Sequence, residues 1–361
     1  MKIGILSFHY GNNYGGILQC FALLTTLKQL GHDPEIINYR GLPTKGINNW
    51  IRRLIKKILF RCIHGTAFLH FRKKYLNPIS FPIRTDKDWS TIGAKYDVVI
   101  AGSDQIWRYV YVKDSIKHYF LDFVSDGVKK LSYAASFGKD EFEGDQTVIE
   151  QLKLLMARFD AISVREKSGV DICRSVFGFE ALRVLDPTML LLPEQYELIS
   201  GRKTGKIKSP YIAYYFLDCN EYKKKIVEEC STKMGIKEFI SLSAKKTHFS
   251  YYKPPLLSLS DYKYQSVFQW LLGIRNAEFV VTDSFHGIVF SILFNKQFLC
   301  IGNEKRGLSR MDDILGLFGL KDRLITETNF IFPESRIDYS AVNEILAQQR
   351  EMSVNFLLNS I

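Results

Sequence analysis

Short runs rich in β-branched and aromatic residues recur along this chain, and polar residues follow each run. In the N-terminal half such runs lie at Tyr96–Ala101, Lys130–Ala135, Asp160–Val164 and Leu182–Leu185. Runs of this kind alternate with apolar residues at helical spacing, and this pattern predicts βα units with parallel sheets. Because the carboxyl ends of parallel strands share one edge of a sheet, the polar residues there are expected to form a ligand site.

The length of the chain, 361 residues, exceeds one ordinary hydrophobic core, so we expect two domains. The predicted fold class is α/β, with two doubly wound Rossmann-like domains that face a cleft. The first domain is predicted at 1–200, with a basic amphipathic insertion at about 45–76, and the second at 208–330. A C-terminal helix at 338–358 is expected to cross back to the first domain.

The charge of the chain favours anionic partners. Lys and Arg number 49 against 38 Asp and Glu, for a formal net charge of +11, which suits a phosphorylated small molecule or a lipid surface. No nucleic-acid motif has the required spacing, so no nucleic-acid partner is expected. Residues 49–63 form a basic amphipathic helical pattern. It indicates either peripheral contact with a membrane or a packed helix with a solvated basic face.

The N-terminal residues and the cysteines indicate a cytoplasmic protein, with the inner face of the membrane as one place of action. The segment 1–13 contains no apolar stretch long enough for a signal peptide, and no run reaches the length of a membrane-spanning helix. The six cysteines are scattered without a CxxC pair. We therefore expect reduced thiols and no metal site.

The strand-to-helix turn at 282–287 is the strongest candidate for a functional site. Phe279–Thr282 reads as a strand, Asp283 as the N-cap of a helix, and His286 as a residue of its first turn. The unpaired N–H groups of a helix N-terminus favour anions, and a histidine among them can exchange a proton. The alternative is that His286 only caps the helix or bonds to a neighbouring loop.

Three other turns supply candidate residues. A loop of glycine and amide residues at 9–16 follows the first strand, without the spacing of a dinucleotide site or the lysine of a P-loop. Polar residues also follow the strands that end near Ala101, Ala135 and Val164. Any of these loops could instead only connect secondary structure elements.

Six of these motifs, in order, carry a resemblance to the polysaccharide pyruvyl transferase family. They are NNYG at 12–15, GSDQIW at 102–107, SYAASFG at 132–138, SVRE at 163–166, LDPT at 185–188 and TDSFHG at 282–287. The resemblance implies two domains similar to those of GT-B glycosyltransferases. It also implies transfer of the enolpyruvyl unit of phosphoenolpyruvate to a sugar of a surface-polysaccharide precursor, with formation of a pyruvate ketal and release of phosphate.

That chemistry requires a general acid, a base and a clamp for anions, with phosphoenolpyruvate as co-substrate and no other cofactor. The expected catalytic residues are His286, Arg165 and Asp104. The residues expected to bind the donor or its anionic groups are Asn13, Tyr14, Gly15, Gly16, Ser136, Ser284, Gly287 and Arg310. The residues expected to bind the acceptor, a sugar or a lipid-linked oligosaccharide, are Ser103, Gln105, Trp107 and Asp283.

One position departs from the family pattern. Some members have an arginine where this chain has Ser284, so the donor clamp is expected to use Arg306 or Arg310.

Two other functions remain open. One is a GT-B glycosyltransferase with a nucleotide-sugar donor, and the other is a non-catalytic, membrane-associated protein of polysaccharide assembly.

Overall fold

The computed structural model describes residues 1–41, 67–200, 209–243, 265–302, 308–326 and 330–361. The chain forms two compact units. The first comprises Met1–Pro43, Arg72–Leu191 and Glu344–Ile361, and the second comprises Thr44–Phe71 and Leu192–Asn343. The predicted basic helix at 49–63 and Arg306 lie outside the described residues. Across the described ranges, no helix combines the length and the hydropathy needed to span a bilayer.

The first part of the chain alternates short strands with helices. In order, its elements are β1 (Lys2–Leu6), α1 (Tyr14–Gln29), β2 (Asp33–Ile36), α2 (Ala67–Tyr75), α3 (Asp86–Gly93), β3 (Val98–Ala101), α4 (Tyr109–Val112), α5 (Ile116–Tyr119), β4 (Lys129–Ser132), α6 (Gln146–Met156), β5 (Ser163–Val164), α7 (Lys167–Ile172) and β6 (Leu182–Arg183).

The same alternation continues to the C-terminus. The remaining elements are α8 (Pro193–Ser200), β7 (Tyr211–Tyr215), α9 (Glu221–Met234), β8 (Glu238–Ser241), α10 (Val267–Arg275), β9 (Phe279–Thr282), α11 (Phe285–Leu293), β10 (Gln297–Ile301), α12 (Leu308–Leu317), β11 (Leu324–Ile325) and α13 (Tyr339–Ser360).

The sheet of the first unit is parallel, with the strand order β2-β1-β3-β4. The strands β5 and β6 pair with each other, and isolated bridges such as Ala135 to Val164 link this pair to the end of β4. The chain passes from β1 to β2 on one side of β1, and then from β2 to β3 on the other side of β1. The gap between the carboxyl ends of β1 and β3 is therefore the topological switch point, where open α/β sheets bind ligands.

The sheet of the second unit is also parallel, with the order β11-β10-β9-β7-β8. Its order reverses between β7 and β9. The strands β3 and β9 are buried at every residue, because helices cover both faces of a parallel sheet. Every residue of α11 is buried too, which agrees with its almost wholly apolar sequence.

These observations confirm the predicted α/β class with Rossmann-like parallel sheets. Pro193–Ser200, which we placed at the end of the first domain, forms α8 and falls within the second unit. The C-terminal segment folds as the helix α13, and its residues from Glu344 onward belong to the first unit. The main chain of Leu185 donates to the hydroxyl of Ser353 in that helix at 2.9 Å.

Candidate functional site

A pocket of about 400 Å³ opens at the switch point of the first unit. The loop after β1 forms one side of it, residues after β2 form another, and Asp104 comes from the loop after β3. Tyrosines line much of its remaining wall. The lining residues used below are Tyr10, Asn13, Gly16, Arg40, Asp104 and Tyr111.

Asp104 adopts a backbone conformation that is uncommon for a residue with a side chain. Its φ is 75°, in the left-handed region, which costs roughly 1 kcal/mol or more outside glycine. The main chain holds it there, since its carbonyl oxygen accepts from the N–H of Ser136 at 3.1 Å and of Ile106 at 2.7 Å. A Cβ at Gly16 would lie only 3.2 Å from the Asp104 Oδ2, so the carboxylate lies close against the first turn of α1.

Arg165 is surrounded by three carboxylates. Its guanidinium lies 2.8 Å from Asp186, 3.5 Å from Asp104 and 3.5 Å from Glu166, and its side chain is 1% exposed. Burial lowers the pKa of Arg165, but the three carboxylates outweigh burial and raise it above its usual value. Since protein carboxylates hold this guanidinium, we assign Arg165 to positioning Asp104 rather than to gripping a donor anion.

Two predicted ligand contacts belong to the same buried network. The Ser103 hydroxyl donates to Asp186 Oδ2 at 3.2 Å, and the Ser136 hydroxyl donates to Glu166 Oε1 at 2.5 Å. Both serines are fully buried. Their hydroxyls therefore orient the carboxylates around Arg165, and the contacts of Ser103 with the acceptor and of Ser136 with the donor stay predictions.

Trp107 lies in the hydrophobic core, and the prediction that it binds the acceptor is wrong. Its side chain is 0% exposed, stacks on Phe120 with ring centroids 4.8 Å apart, and donates its indole N–H to the carbonyl oxygen of Tyr119 at 2.9 Å. Gln105 is only partly buried, and its Oε1 accepts from Arg108 at 3.0 Å. Gln105 and Trp107 thus differ in burial: the side chain of Trp107 packs in the core, whereas that of Gln105 is partly exposed.

The first turn of α1 is capped by its own sequence. The Asn13 side chain accepts from the N–H of Gly15 at 3.0 Å, so this N–H is not available to an anion. Tyr14 is buried at 1% exposure, whereas Asn13 and Gly16 line the pocket. Of the four predicted donor-binding residues in this loop, two thus face the pocket.

Basic side chains at this pocket were missed in the sequence. The guanidinium carbon of Arg40 lies 4.1 Å from the ring centroid of Tyr10, and that of Arg72 lies 5.1 Å from the same ring. Burial, together with the charges of Arg40 and Arg72, lowers the pKa of His9 to about 4, against the hydrogen bonds to Ser7 and Asn38 that raise it. His9 is therefore neutral at pH 7. Arg40 lies shortly after β2, and its position beyond the end of a strand was the available signal.

In the second unit, Asp283 organises the loops at the switch point. Its carboxylate accepts from the N–H groups of Leu217 at 2.7 Å and Asp218 at 3.2 Å, and it pairs with the Lys223 ammonium at 2.6 Å. Asp283 is fully buried. Ser284, not Asp283, is therefore the N-cap of the helix. The oxygens of Asp283 hold the ends of β7 and β9 together, and its contact with the acceptor stays a prediction.

Lys223 is a second residue that sequence reasoning missed. It lies on α9 with Ile226, Val227 and Cys230 as the buried face, at helical spacing. That periodicity was the signal, but Lys223 is the first of three consecutive lysines, which read as a solvated surface. A buried lysine needs a partner, and Asp283 supplies it.

The N-terminus of α11 brings together His286, Ser284 and Arg310. Ser284 is the N-cap, and its side chain makes no capping hydrogen bond to α11, all of whose residues are described. The His286 ring packs edge-on against Phe285 with centroids 5.3 Å apart, and the Arg310 guanidinium carbon lies 6.0 Å from the centroid of Phe285. All three predicted residues are at most 6% exposed.

Gly287 serves packing. A Cβ at this position would lie 2.1 Å from the Thr282 hydroxyl, which itself donates to the carbonyl oxygen of Tyr215 at 2.8 Å. The absence of a side chain lets α11 begin directly against the end of β9, and this contact sets where His286 lies.

Solved structures of other proteins are similar to this chain. Staphylococcus aureus MnaA with UDP is 11% identical, has a TM-score of 0.51, and the match covers 99% of this chain and 95% of that one. Methanocaldococcus jannaschii UDP-GlcNAc 2-epimerase with UDP-GlcNAc and UDP is 14% identical, with a TM-score of 0.47 and coverages of 98% and 93%. Escherichia coli heptosyltransferase WaaC with ADP is 12% identical, with a TM-score of 0.41 and coverages of 98% and 99%.

Together with the parallel sheets, the likeness to MnaA shows a Rossmann-like GT-B fold and nothing about substrates. A comparison with curated proteins finds no significant match. The family model described as polysaccharide pyruvyl transferase matches residues 13–305, which include the turns that hold Asp104, Arg165 and His286. The chain therefore belongs to the polysaccharide pyruvyl transferase family.

Proposed function

We propose that this protein transfers the enolpyruvyl unit of phosphoenolpyruvate to a sugar of a surface-polysaccharide precursor and closes a pyruvate ketal. Family membership supports a transferase of polysaccharide biosynthesis. The observation that carries the donor assignment is the position of His286 in the first turn of α11, with Arg310 packed on the neighbouring Phe285.

The donor carries a phosphate and a carboxylate, so its site must supply positive charge. The first N–H groups of α11 provide part of it, because the N-terminus of a helix bears partial positive charge and the Ser284 side chain does not cap it. Arg310 provides a guanidinium suited to bidentate binding of either anion. Lys223 contributes less, since Asp283 neutralises it at 2.6 Å.

In the proposed reaction, His286 is the general acid. As the imidazolium, His286 protonates the methylene carbon of phosphoenolpyruvate, and the adjacent carbon becomes an oxocarbenium-like centre. A sugar hydroxyl attacks this centre and gives its proton to the now neutral imidazole. The carbon–oxygen bond to phosphate breaks, and a second hydroxyl bonds to the same carbon and gives its proton to the departing phosphate, which completes the ketal. A general acid of this kind contributes roughly 10²–10⁴-fold to the rate.

Asp104 in the first unit suits the acceptor. Its carboxylate lines the pocket beside the Asn13 amide, and carboxylates and amides are natural partners of sugar hydroxyls. Asp104 would bind hydroxyl groups of the acceptor, and Arg165 would act through it as a positioning residue.

The test measures phosphate release from phosphoenolpyruvate and thermal stabilisation by donors. A ligand at about a hundred times its dissociation constant should stabilise the wild-type protein by about 2.7 kcal/mol. We expect phosphoenolpyruvate to shift the melting temperature. With an acceptor extract, we expect His286→Ala to lower phosphate release by roughly 10²-fold or more while it melts like the wild type. The exposed His70, also in the second unit, gives the control His70→Ala.

The same panel distinguishes a nucleotide-sugar donor. MnaA was solved with UDP, which motivates uridine, guanosine and adenosine diphosphates in the panel. Stabilisation by one of these and none by phosphoenolpyruvate would overturn the pyruvyl transfer proposal in favour of glycosyl transfer. Turnover of neither donor, with partner or membrane binding that survives His286→Ala, would indicate an assembly protein.

A further inference from the structure

We infer that the pocket of the first unit takes a sugar that carries an anionic substituent, a phosphate or a carboxylate, with the anion against Arg40 and the ring hydroxyls toward Asp104. The inference deepens the proposed function, because it takes this pocket as the acceptor site. It adds the chemical class of the acceptor.

The size and lining of the pocket suit a monosaccharide unit. A volume of about 400 Å³ falls within the usual range for small-molecule sites, roughly 300–1,000 Å³. Its walls carry Tyr10, Tyr39, Tyr111 and Tyr119, whose rings can cover the faces of a sugar. Asp104 and Asn13 are the polar groups that can orient hydroxyls there.

The carboxylate of Asp104 and the guanidinium of Arg40, which lie on different sides of this pocket, do not pair with each other. Asp104 is paired with Arg165 at 3.5 Å, whereas Arg40 has no carboxylate partner among the residues that the structure describes. Asp104 shares this guanidinium with Glu166 and Asp186, so the protein offsets only part of the negative charge on the anionic side of the pocket. Within the described part of the chain, Arg40 on the cationic side has no carboxylate partner of this kind.

Two uncharged groups hold the guanidinium of Arg40 in place. Its Nε–H donates to Asn38 Oδ1 at 2.9 Å, and its plane lies over the ring of Tyr10. A guanidinium fixed in this way loses little freedom when its remaining N–H groups bind both oxygens of a carboxylate or phosphate.

Arg72 adds a second positive charge beside the same tyrosine ring. Burial first, and then the charge of Arg40, lower the pKa of Arg72 to about 10, and both arginines help to lower the pKa of His9. The two guanidinium groups of Arg40 and Arg72 therefore raise the potential at this edge of the pocket. Arg72 also donates to the carbonyl oxygen of Gly11 at 2.8 Å and to Asn12 Oδ1 at 3.3 Å, and these contacts hold its guanidinium beside Tyr10.

The experiment measures binding by titration calorimetry at 150 mM and 500 mM salt. The probes are glucose, galactose, their 1-phosphates, their uronic acids, inorganic phosphate and phosphoenolpyruvate. The variants are Arg40→Ala, Arg40→Lys and, as a control, Arg84→Ala, which removes an exposed arginine of the same unit away from the pocket. Circular dichroism melting establishes that each variant is folded.

We expect at least one sugar phosphate or uronic acid to bind tenfold or more tightly than its neutral sugar, and less tightly at high salt. Arg40→Ala should abolish this preference and leave binding of the neutral sugar unchanged, Arg40→Lys should retain part of it, and Arg84→Ala all of it. A gain for the 1-phosphates alone identifies a glycosyl phosphate, and a gain for the uronic acids alone identifies an acidic sugar.

Equal affinities for charged and neutral sugars, an undiminished preference in Arg40→Ala, or no binding by any sugar of the panel would overturn the inference. So would equal displacement of the sugar phosphate by inorganic phosphate or phosphoenolpyruvate, because the pocket would then recognise the bare anion. The proposed function fails on a different result, the absence of phosphate release from phosphoenolpyruvate, which is measured on the same preparations.

Discussion

At the scale of single residues, the first unit concentrates buried charge around Arg165. One guanidinium faces the carboxylates of Asp104, Glu166 and Asp186, and hydroxyl donors bond to Glu166 Oε1 and Asp186 Oδ1. Such a cluster is stable only when every charge has a partner. The three acids come from three different loops, so the cluster also fixes those loops at the edge of the sheet.

Removal of the arginine tests this interpretation. Arg165→Ala leaves three buried carboxylates without their cation and should lower the free energy of unfolding by about 3–5 kcal/mol in urea denaturation. The matched control is Arg174→Ala, which breaks an exposed ion pair with Glu180 and should change stability little. Similar losses in the two variants would contradict a network that depends on Arg165.

His9 gives a second prediction, on pH. Burial is the main reason that its pKa in the folded protein is about 4, below the unfolded value near 6.5. The unfolded chain therefore binds more protons between these values, so stability is full above about pH 6.5 and falls as the pH drops toward 4. The loss should reach about 3 kcal/mol. In His9→Gln, the free energy of unfolding should change less with pH over this range. Parallel curves of stability against pH for the variant and the wild type would contradict the assignment of this effect to His9.

At the scale of elements, the start of α11 depends on one missing side chain. Gly287→Ala would push a methyl group into the Thr282 hydroxyl and should cost about 1–3 kcal/mol of stability. The double variant Thr282→Ala with Gly287→Ala should lose less than the sum of the single changes. Gly11→Ala, where a methyl group meets open space, is the control. Additive losses would show that the contact is not the cause.

The C-terminal helix α13 offers adjacent leucines with opposite environments. Leu357 is 0% exposed and Leu358 is 53% exposed. Leu357→Ala should destabilise the protein by about 2–5 kcal/mol, because it leaves a cavity, and Leu358→Ala should stay within about 0.5 kcal/mol. Urea denaturation followed by circular dichroism measures both. Equal effects would mean that the helix does not pack through this face.

Elements were more predictable than contacts. The strand at Phe279–Thr282 and the helix that contains His286 follow from local patterns of apolar residues, which any fold must bury. The N-cap was misassigned because Asp283 is a good local cap, yet an ammonium 60 residues away in the sequence, that of Lys223, binds it at 2.6 Å. A charged partner outweighs a cap, and no local pattern announces it.

At the scale of the whole molecule, the net charge of +11 favours anionic surfaces. The amphipathic helix predicted at 49–63 therefore remains a testable membrane contact. Sedimentation with vesicles should show binding to phosphatidylserine-containing membranes and weak binding to neutral ones. Because each basic residue near such a surface contributes about 1 kcal/mol, Lys56→Glu with Lys57→Glu should weaken binding by at least roughly tenfold.

The control reverses two exposed lysines of the second unit, Lys233→Glu with Lys237→Glu. It leaves the same net charge as the first double variant. If both double variants lose binding equally, the attraction comes from overall charge and not from 49–63.

The sequence by itself determined the α/β class, the positions of the strand-to-helix turns and the family, because periodicity and short motifs are local properties. Only the tertiary structure decided what each polar residue does. It buried Trp107 and Ser103, gave Arg165 three carboxylates, and brought Arg40 and Tyr10 to one pocket from separate loops. Roles of this kind depend on burial and on partners distant in sequence, which the order of strands in the sheet brings together.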